Sequence, residues 1–152
     1  MRLIAFAALG ALAAMAAPPA GAQLLPHKDL SQAAALAIAT TAAETCKGQG
    51  YRVSVTVVGR NGEPLVQLRG EDASPHTYDF SFRKAYTART FRVASGEIVN
   101  RFKQDSTYSQ GALPIKIGDE VIGAAGVSGA PGGEKDEACV KAGLDKVADQ
   151  LK

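Results

Sequence analysis

The sequence predicts an α+β fold in which helices cover an antiparallel sheet. Two turn signals and one closing segment carry that prediction. Asn61-Gly62 and Gly118-Asp119 each stand between short apolar runs, the pattern of a strand, a tight turn and a returning strand. Gly111 to Leu144 then reads without interruption as strand, turn, strand, glycine-rich bend and helix. Taken along the chain the element order is α-β-β-α-α-β-β-α, an antiparallel sheet flanked by helices.

The first 22 residues stand apart from this domain. Arg2 precedes an apolar run from Leu3 to Ala17, and Ala20-Gly21-Ala22 supplies a small-x-small cleavage site, so the expectation is an export signal cut before Gln23. The run is short for a bilayer span and no second one follows, which predicts a periplasmic or secreted protein without stable membrane insertion. Removing the signal takes away Arg2 and leaves a charge of +1. No general attraction to nucleic acid follows from so even a balance. Residues 23–152 suffice for one domain with its own core.

Leu30 to Lys47 is predicted to be a helix, entered through Asp29 or Ser31 and ended by Gly48 and Gly50. Alanine dominates it, which favours helix and lets it lie close to whatever it covers. Val53, Val55 and Val57 alternate with Ser54 and Thr56, the pattern of a half-buried strand, and Pro64 to Arg69 is its partner. Ser74-Pro75 marks the next helix start, with serine as cap and proline at the first helical position. That helix carries two stripes, Phe80, Lys84, Thr87 and Phe91 on one, Phe82, Tyr86, Arg89 and Val93 on the other. One stripe is expected in the core. The other is expected to face a pocket or a second subunit, or else to lie over the domain edge.

Ser95 to Phe102 reads as a short helix capped by Ser95, with Glu97 and Arg101 spaced as an ion pair. Lys103 to Gln110 is polar and reads as an exposed loop. Within the last strand, Gly123 and Gly126 imply that another backbone approaches closely. Glu134, Asp136 and Glu137 then place acid at the positive end of the closing helix. Export makes a Cys46–Cys139 disulfide the favoured use of the only two cysteines, which requires the first and last helices to be neighbours; two small buried thiols are the alternative.

Three stretches, KAYTARTF (Lys84 to Phe91), GALPI (Gly111 to Ile115) and VIGAAGVSGAPGGEKDEAC (Val121 to Cys139), together resemble the GlcG/HbpS-like heme-binding (heme-degrading) family. The sequence departs from the pattern at Ala112, where a second glycine is usual. The resemblance spans nearly all of residues 23–152. It implies a profilin-like sheet of about five strands flanked by helices, homo-oligomers, and heme as ligand.

Other chemistries fit poorly. Gly126-Val127-Ser128-Gly129-Ala130 lacks the last glycine of a nucleophile elbow, and neither His27 nor His76 follows the serine. The glycine-rich bend lacks the Gly-Lys-Ser/Thr ending of a phosphate loop, and two distant histidines with two cysteines make no zinc spacing. Heme asks for less: one or two axial groups, apolar walls and cations for its propionates. His76, at the first turn of an aromatic-rich helix, is the first axial candidate and His27 the second. Tyr78, Phe80, Phe82 and Tyr86 are candidate walls, and Arg83, Lys84 or Arg89 candidate propionate partners. Lys84 and Thr87 belong to the motif that carries the resemblance and are cofactor-binding candidates with it; His76 facing solvent, and Lys84 and Thr87 as packing and hydrogen-bonding residues at a helix or subunit contact, stay open.

The function expected is an exported heme-binding protein in uptake, storage or sensing. A heme-degrading or peroxidase-like enzyme is the first alternative. A binder of a corrinoid or small organic acid, and a ligand-free oligomeric partner module, are the others.

Overall fold

The computed structural model of the chain describes residues 25–103, 105 and 107–152; the export signal expected before Gln23 lies outside them. In order the elements are α1 (Gln32–Gly48), β1 (Ser54–Val58), β2 (Pro64–Arg69), α2 (Pro75–Phe91), α3 (Ser95–Arg101), β3 (Ala112–Ile117), β4 (Glu120–Ser128) and α4 (Gly133–Lys146), followed by a 3-10 turn at Ala148–Gln150. The strands form one antiparallel sheet in the order β2-β1-β4-β3. Among the described residues four strands stand where about five were expected.

Both predicted hairpins are present, with different turns. Ile117 pairs with Glu120, so Gly118 and Asp119 alone connect β3 to β4, and Gly118 takes the positive φ of 57° that a two-residue loop asks of glycine. Between β1 and β2 the loop is longer than Asn61-Gly62. It runs from Gly59 to Glu63 and is closed by the Gly59 N–H donating to the Glu63 carbonyl at 2.8 Å.

The sheet is covered on both sides. Val55, Val57, Ile115, Ile122, Ala125 and Val127 pack beneath α1 and α4, against Ala35, Ile38, Ala39, Ala42 and Val140. On the opposite face Val58, Ala112 and Ala124 meet Ala85 and Ala88 of α2. Every residue of β1 is therefore buried, not half of them, because β1 lies between β2 and β4 with helices above and below. The polar alternation of Ser54 and Thr56 marks the α2 face of the sheet instead of a wet one.

Small residues set how close the layers come. A Cβ on Gly126 would lie 2.5 Å from the Ser81 carbonyl and 2.7 Å from the Ala85 nitrogen, so the backbone of α2 rests almost directly on β4. Gly123 meets the Val58 carbonyl of the neighbouring strand at 2.5 Å in the same sense. Ala112, at the variant position of the family pattern, is fully buried opposite Gly126. On the other side Cys46 and Cys139 form a disulfide, Cα to Cα 5.6 Å, joining α1 to α4 inside the core.

Helix starts depart from expectation. Ser31 does cap α1, accepting from the Ala34 N–H at 3.2 Å. Ser74 occupies the cap position of α2 but makes no side-chain cap bond; its carbonyl instead accepts from the Thr77 hydroxyl at 2.7 Å. Ala94, not Ser95, caps α3, since the Ser95 hydroxyl is turned inward to accept from the Ala112 N–H at 3.0 Å. Among the described residues Glu97 and Arg101 make no ion pair, both side chains standing in solvent where such a pair gains little.

Candidate functional site

α2 organises the site, and its inner face is polar. Thr77 and Ser54 hydroxyls meet at 2.8 Å, and Ser81 and Thr56 at 2.7 Å, so two hydroxyl pairs fasten the helix to β1 where a sheet and helix usually meet through apolar side chains. Further along, the Lys84 ammonium donates to Asp136 Oδ2 at 2.7 Å and to the Val127 carbonyl at 3.1 Å. Asp136 Oδ1 accepts from the Ala130 N–H at 3.0 Å, which closes the glycine-rich bend over the pair. The two side chains are 7% and 3% exposed. Burial pushes the Asp136 carboxyl above its ordinary range, against the pull of the Lys84 ammonium and the Ala130 N–H.

Lys84 and Thr87 of the first predicted stripe are buried with this face, whereas the aromatic members of both stripes flank it. Thr77, Ser81, Ala85 and Ala88 lie against the sheet, while Tyr78, Phe80 and Tyr86 remain 45%, 38% and 48% exposed. Small side chains won this face because Gly126 lets the helix come too near for an aromatic ring.

On the outer side of α2 lies an apolar groove of about 300 Å³, lined by Phe82, Arg83, Tyr86, Thr87, Thr90, Phe91, Thr107 and Tyr108. Its far wall is an aromatic cluster in which Tyr108 lies 5.8 Å from Phe91 and 5.6 Å from Phe102, centroid to centroid. Tyr108 is accordingly half-buried, and the segment expected to be an exposed loop supplies a wall. The Thr87 and Thr90 hydroxyls donate to the Arg83 and Tyr86 carbonyls on their own helix. A larger hollow near the end of the sheet, about 480 Å³, is lined by the charged side chains of Lys47, Arg52, Arg69, Glu44, Glu71 and Asp72 together with Ala43, Tyr51 and Val53.

The residues singled out in the sequence are distributed unevenly around this groove. Arg83 and Thr87 line it, with Phe82 and Tyr86 as walls. Lys84 points the other way, into the Asp136 pair. His76 is exposed at the start of α2, its ring edge-on to Phe80 at 5.8 Å, and lies roughly 15 Å below Tyr86 along the helix axis at 1.5 Å per residue. Tyr78 and Phe80 share that lower, exposed part of the helix. His27 is on the N-terminal arm, 3.4 Å from Asp29, which in turn pairs with Arg60 at 3.1 Å. No group of three potential metal-ligating side chains converges among the described residues.

Sequence reasoning missed Tyr108, Phe102 and Asp136 as partners of α2. It also missed Gln110, whose side-chain amide donates to Glu137 at 3.0 Å and so ties the segment before β3 to α4. The one available signal was Lys84 itself. It falls within the helical spacing of Thr77, Ser81 and Ala88, and a lysine on a face of small residues requires a buried anion.

A helix-covered antiparallel sheet with an aromatic groove on one helix defines the class of the molecule, an α+β module. The chain belongs to the HbpS-like family: the family model described as "Haem degrading protein HbpS-like" matches residues 30–145. It is similar to HbpS of Streptomyces reticuli, in the crystal structure of a double mutant, with 35% identity and a TM-score of 0.77 over 86% of this chain and 97% of that one. It is 31% identical to an uncharacterized 15.0 kDa protein from the dhaT-dhaS intergenic region of Citrobacter freundii, over 72% of this chain and 89% of that protein. The fold is shared with PduOC, solved as a heme complex, at 20% identity and a TM-score of 0.67, covering 77% of this chain and 94% of that one.

Proposed function

We propose that this chain is an exported heme-binding protein that works as a homo-oligomer, and that the groove on the outer side of α2 receives the porphyrin. The observation that carries the reading is a groove whose lining combines apolar aromatic walls, Phe82, Phe91 and Tyr108, with the cation of Arg83. An iron porphyrin asks for that combination of walls and cations. Membership of a family described as heme-degrading, and the heme complex of PduOC, support the choice of ligand.

Bound heme would supply iron-centred redox or oxygen chemistry. The chain's own residues would wall off its faces and offer an axial group. The phenols of Tyr86 and Tyr108 lie in the groove, whereas His76 and His27 lie outside it. Phenolate is an established heme ligand. The groove therefore favours a tyrosine over the imidazoles, and His76 is the alternative donor on the exposed lower part of α2.

Titrating the protein lacking residues 1–22 with hemin tests this. A saturable Soret shift is expected, and no shift beyond that of an unrelated control protein removes the proposal. The family description gives a second reading, turnover. Loss of the Soret band over many equivalents, with reductant or peroxide present, would establish an enzyme in place of a carrier.

A further inference from the structure

The three stretches of sequence that carry the family resemblance converge on one polar block. KAYTARTF supplies Lys84, GALPI supplies Gly111, and VIGAAGVSGAPGGEKDEAC supplies Gly133, Asp136 and Glu137. Asp136 and Glu137 are consecutive residues near the start of α4, and each holds a different wall of the groove. Lys84, which donates to Asp136 Oδ2 at 2.7 Å, stands on α2 between Arg83 and Tyr86, both of which line the groove. Gln110, which donates to Glu137 Oε2 at 3.0 Å, follows Tyr108 of the opposite wall by two residues. One turn of α4 therefore anchors both walls.

Glycines make room for both ties. A Cβ on Gly111 would lie 2.8 Å from Lys84 Nζ and from the Asp136 Cβ, so a side chain there would displace the pair. Gln110 sits in a socket made by two others: a Cβ on Gly133 of α4 would come within 2.6 Å of the Gln110 Cβ, and one on Gly96 of α3 within 3.1 Å of its side-chain carbons. Neither Gly133 nor Gly96 has the left-handed backbone that calls for glycine, so what their missing side chains provide is space. The Glu137 carboxylate depends on this contact. Its Oε1 is buried without a hydrogen-bond partner among the described residues, and its Oε2 has the Gln110 amide. An acceptor that loses its last donor there bears the whole cost of its desolvation, so the bond is held firmly. Upstream of Gln110 the wall is held by ring contacts, Tyr108 lying 5.8 Å from Phe91 and 5.6 Å from Phe102, and such contacts fix a distance less sharply than a hydrogen bond does.

We infer that Gln110 and Glu137 are positioning residues of the groove: they tie the Tyr108 wall to the turn of α4 that already holds α2, and so set the spacing into which a flat, apolar ligand fits. The inference rests on the heme reading of the groove and goes beyond it, since it assigns part of the ligand's affinity to two side chains that do not line the groove. They act through Tyr108, without touching the ligand.

The experiment measures hemin affinity by Soret titration, and backbone amide exchange across residues 107–112 of the ligand-free protein, for Gln110→Ala, Gln110→Glu and the swapped pair Gln110→Glu with Glu137→Gln. Gln110→Ala removes the donor and Gln110→Glu opposes two carboxylates, whereas the swap restores donor and acceptor with their roles reversed. The single variants are expected to bind hemin about 2- to 30-fold more weakly, the range for residues that act on a ligand through a neighbour, and to exchange faster across 107–112. The swapped pair should recover both. In a Tyr108→Ala background, Gln110→Ala should cost hemin nothing further, because the wall it positions is gone. A full additional loss there overturns the inference, since it would mark a general effect on the fold. Hemin affinity unchanged in both single variants, or not recovered in the swapped pair, overturns it as well and leaves the heme reading standing. If the unaltered protein binds no hemin, the heme reading falls by itself; the positioning role is then decided by amide exchange, and rates across 107–112 unchanged in the single variants overturn it.

Discussion

The Lys84 ammonium lies 2.7 Å from the Asp136 carboxylate inside the protein, joining the middle of α2 to the first turn of α4 across the end of β4. Each charge is tolerated there because the other is present. Removing one partner of a buried pair costs about 3–5 kcal/mol, since the survivor stays desolvated and unpaired. Lys84→Met is therefore expected to lower unfolding stability at pH 7 by that amount in urea denaturation. A loss under about 1 kcal/mol, the size of a surface pair, would show that water reaches the site.

The same pair sets a pH dependence whose sign follows from the raised Asp136 pKa. Its ordinary value is 3.8, and burial lifts it in the folded state, so between those two values the folded protein holds a proton that the unfolded chain has released. The contribution of this group to stability is thus complete below about 3.8 and declines as pH rises through the folded pKa. Without its lysine, Asp136 should be lifted further, so the deficit of Lys84→Met should shrink on going from pH 7 toward pH 4. A deficit that stays constant across that range would contradict the assignment.

The Cys46–Cys139 bridge closes a long loop, with a sequence separation of 93. In the chain-entropy picture such a loop stabilises by about 4–5 kcal/mol. The Cys46→Ala, Cys139→Ala double variant should lose most of that in the urea midpoint while keeping its far-ultraviolet circular dichroism. Both sulfurs are buried, so the intact protein should also resist mild reductant until urea opens it.

Two glycines should respond in opposite directions to alanine. At Gly126 the added methyl meets the backbone of α2 at 2.5 Å, and forcing helix and sheet apart costs roughly 1–3 kcal/mol. At Gly48, the last residue of α1, nothing lies within 4 Å and the backbone is ordinary, so alanine should stabilise by about 0.4–1 kcal/mol. Thermal melts of the two variants decide the matter, and equal shifts would deny the close helix–sheet approach on which the groove's position depends.

The axial group is open to a spectroscopic test. With hemin bound, Tyr108→Phe or Tyr86→Phe should change the ferric absorption spectrum and His76→Ala should leave it alone. The reverse pattern would move the iron to the exposed start of α2.

Element order, both hairpins and the close approach at Gly126 were legible in the sequence, because each depends on neighbours in the chain or on a side chain too small to have another use, and the Cys46–Cys139 pairing was legible because the sequence holds two cysteines and no more. Turn residues act over a few positions, and helical periodicity repeats wherever the pattern does. The sheet order β2-β1-β4-β3, the burial of both faces of β1 and the inward turn of Lys84 depended on something else. Lys84 and Asp136 are 52 residues apart, and Phe91 meets Tyr108 across α3. The spacing of Lys84 with Thr77, Ser81 and Ala88 hints at burial, but no local signal names the carboxylate, far along the chain, that meets it. That is decided when α2 settles on β4, leaving a layer too thin for aromatic rings beneath the helix and placing Phe82, Tyr86 and Arg89 on its flank.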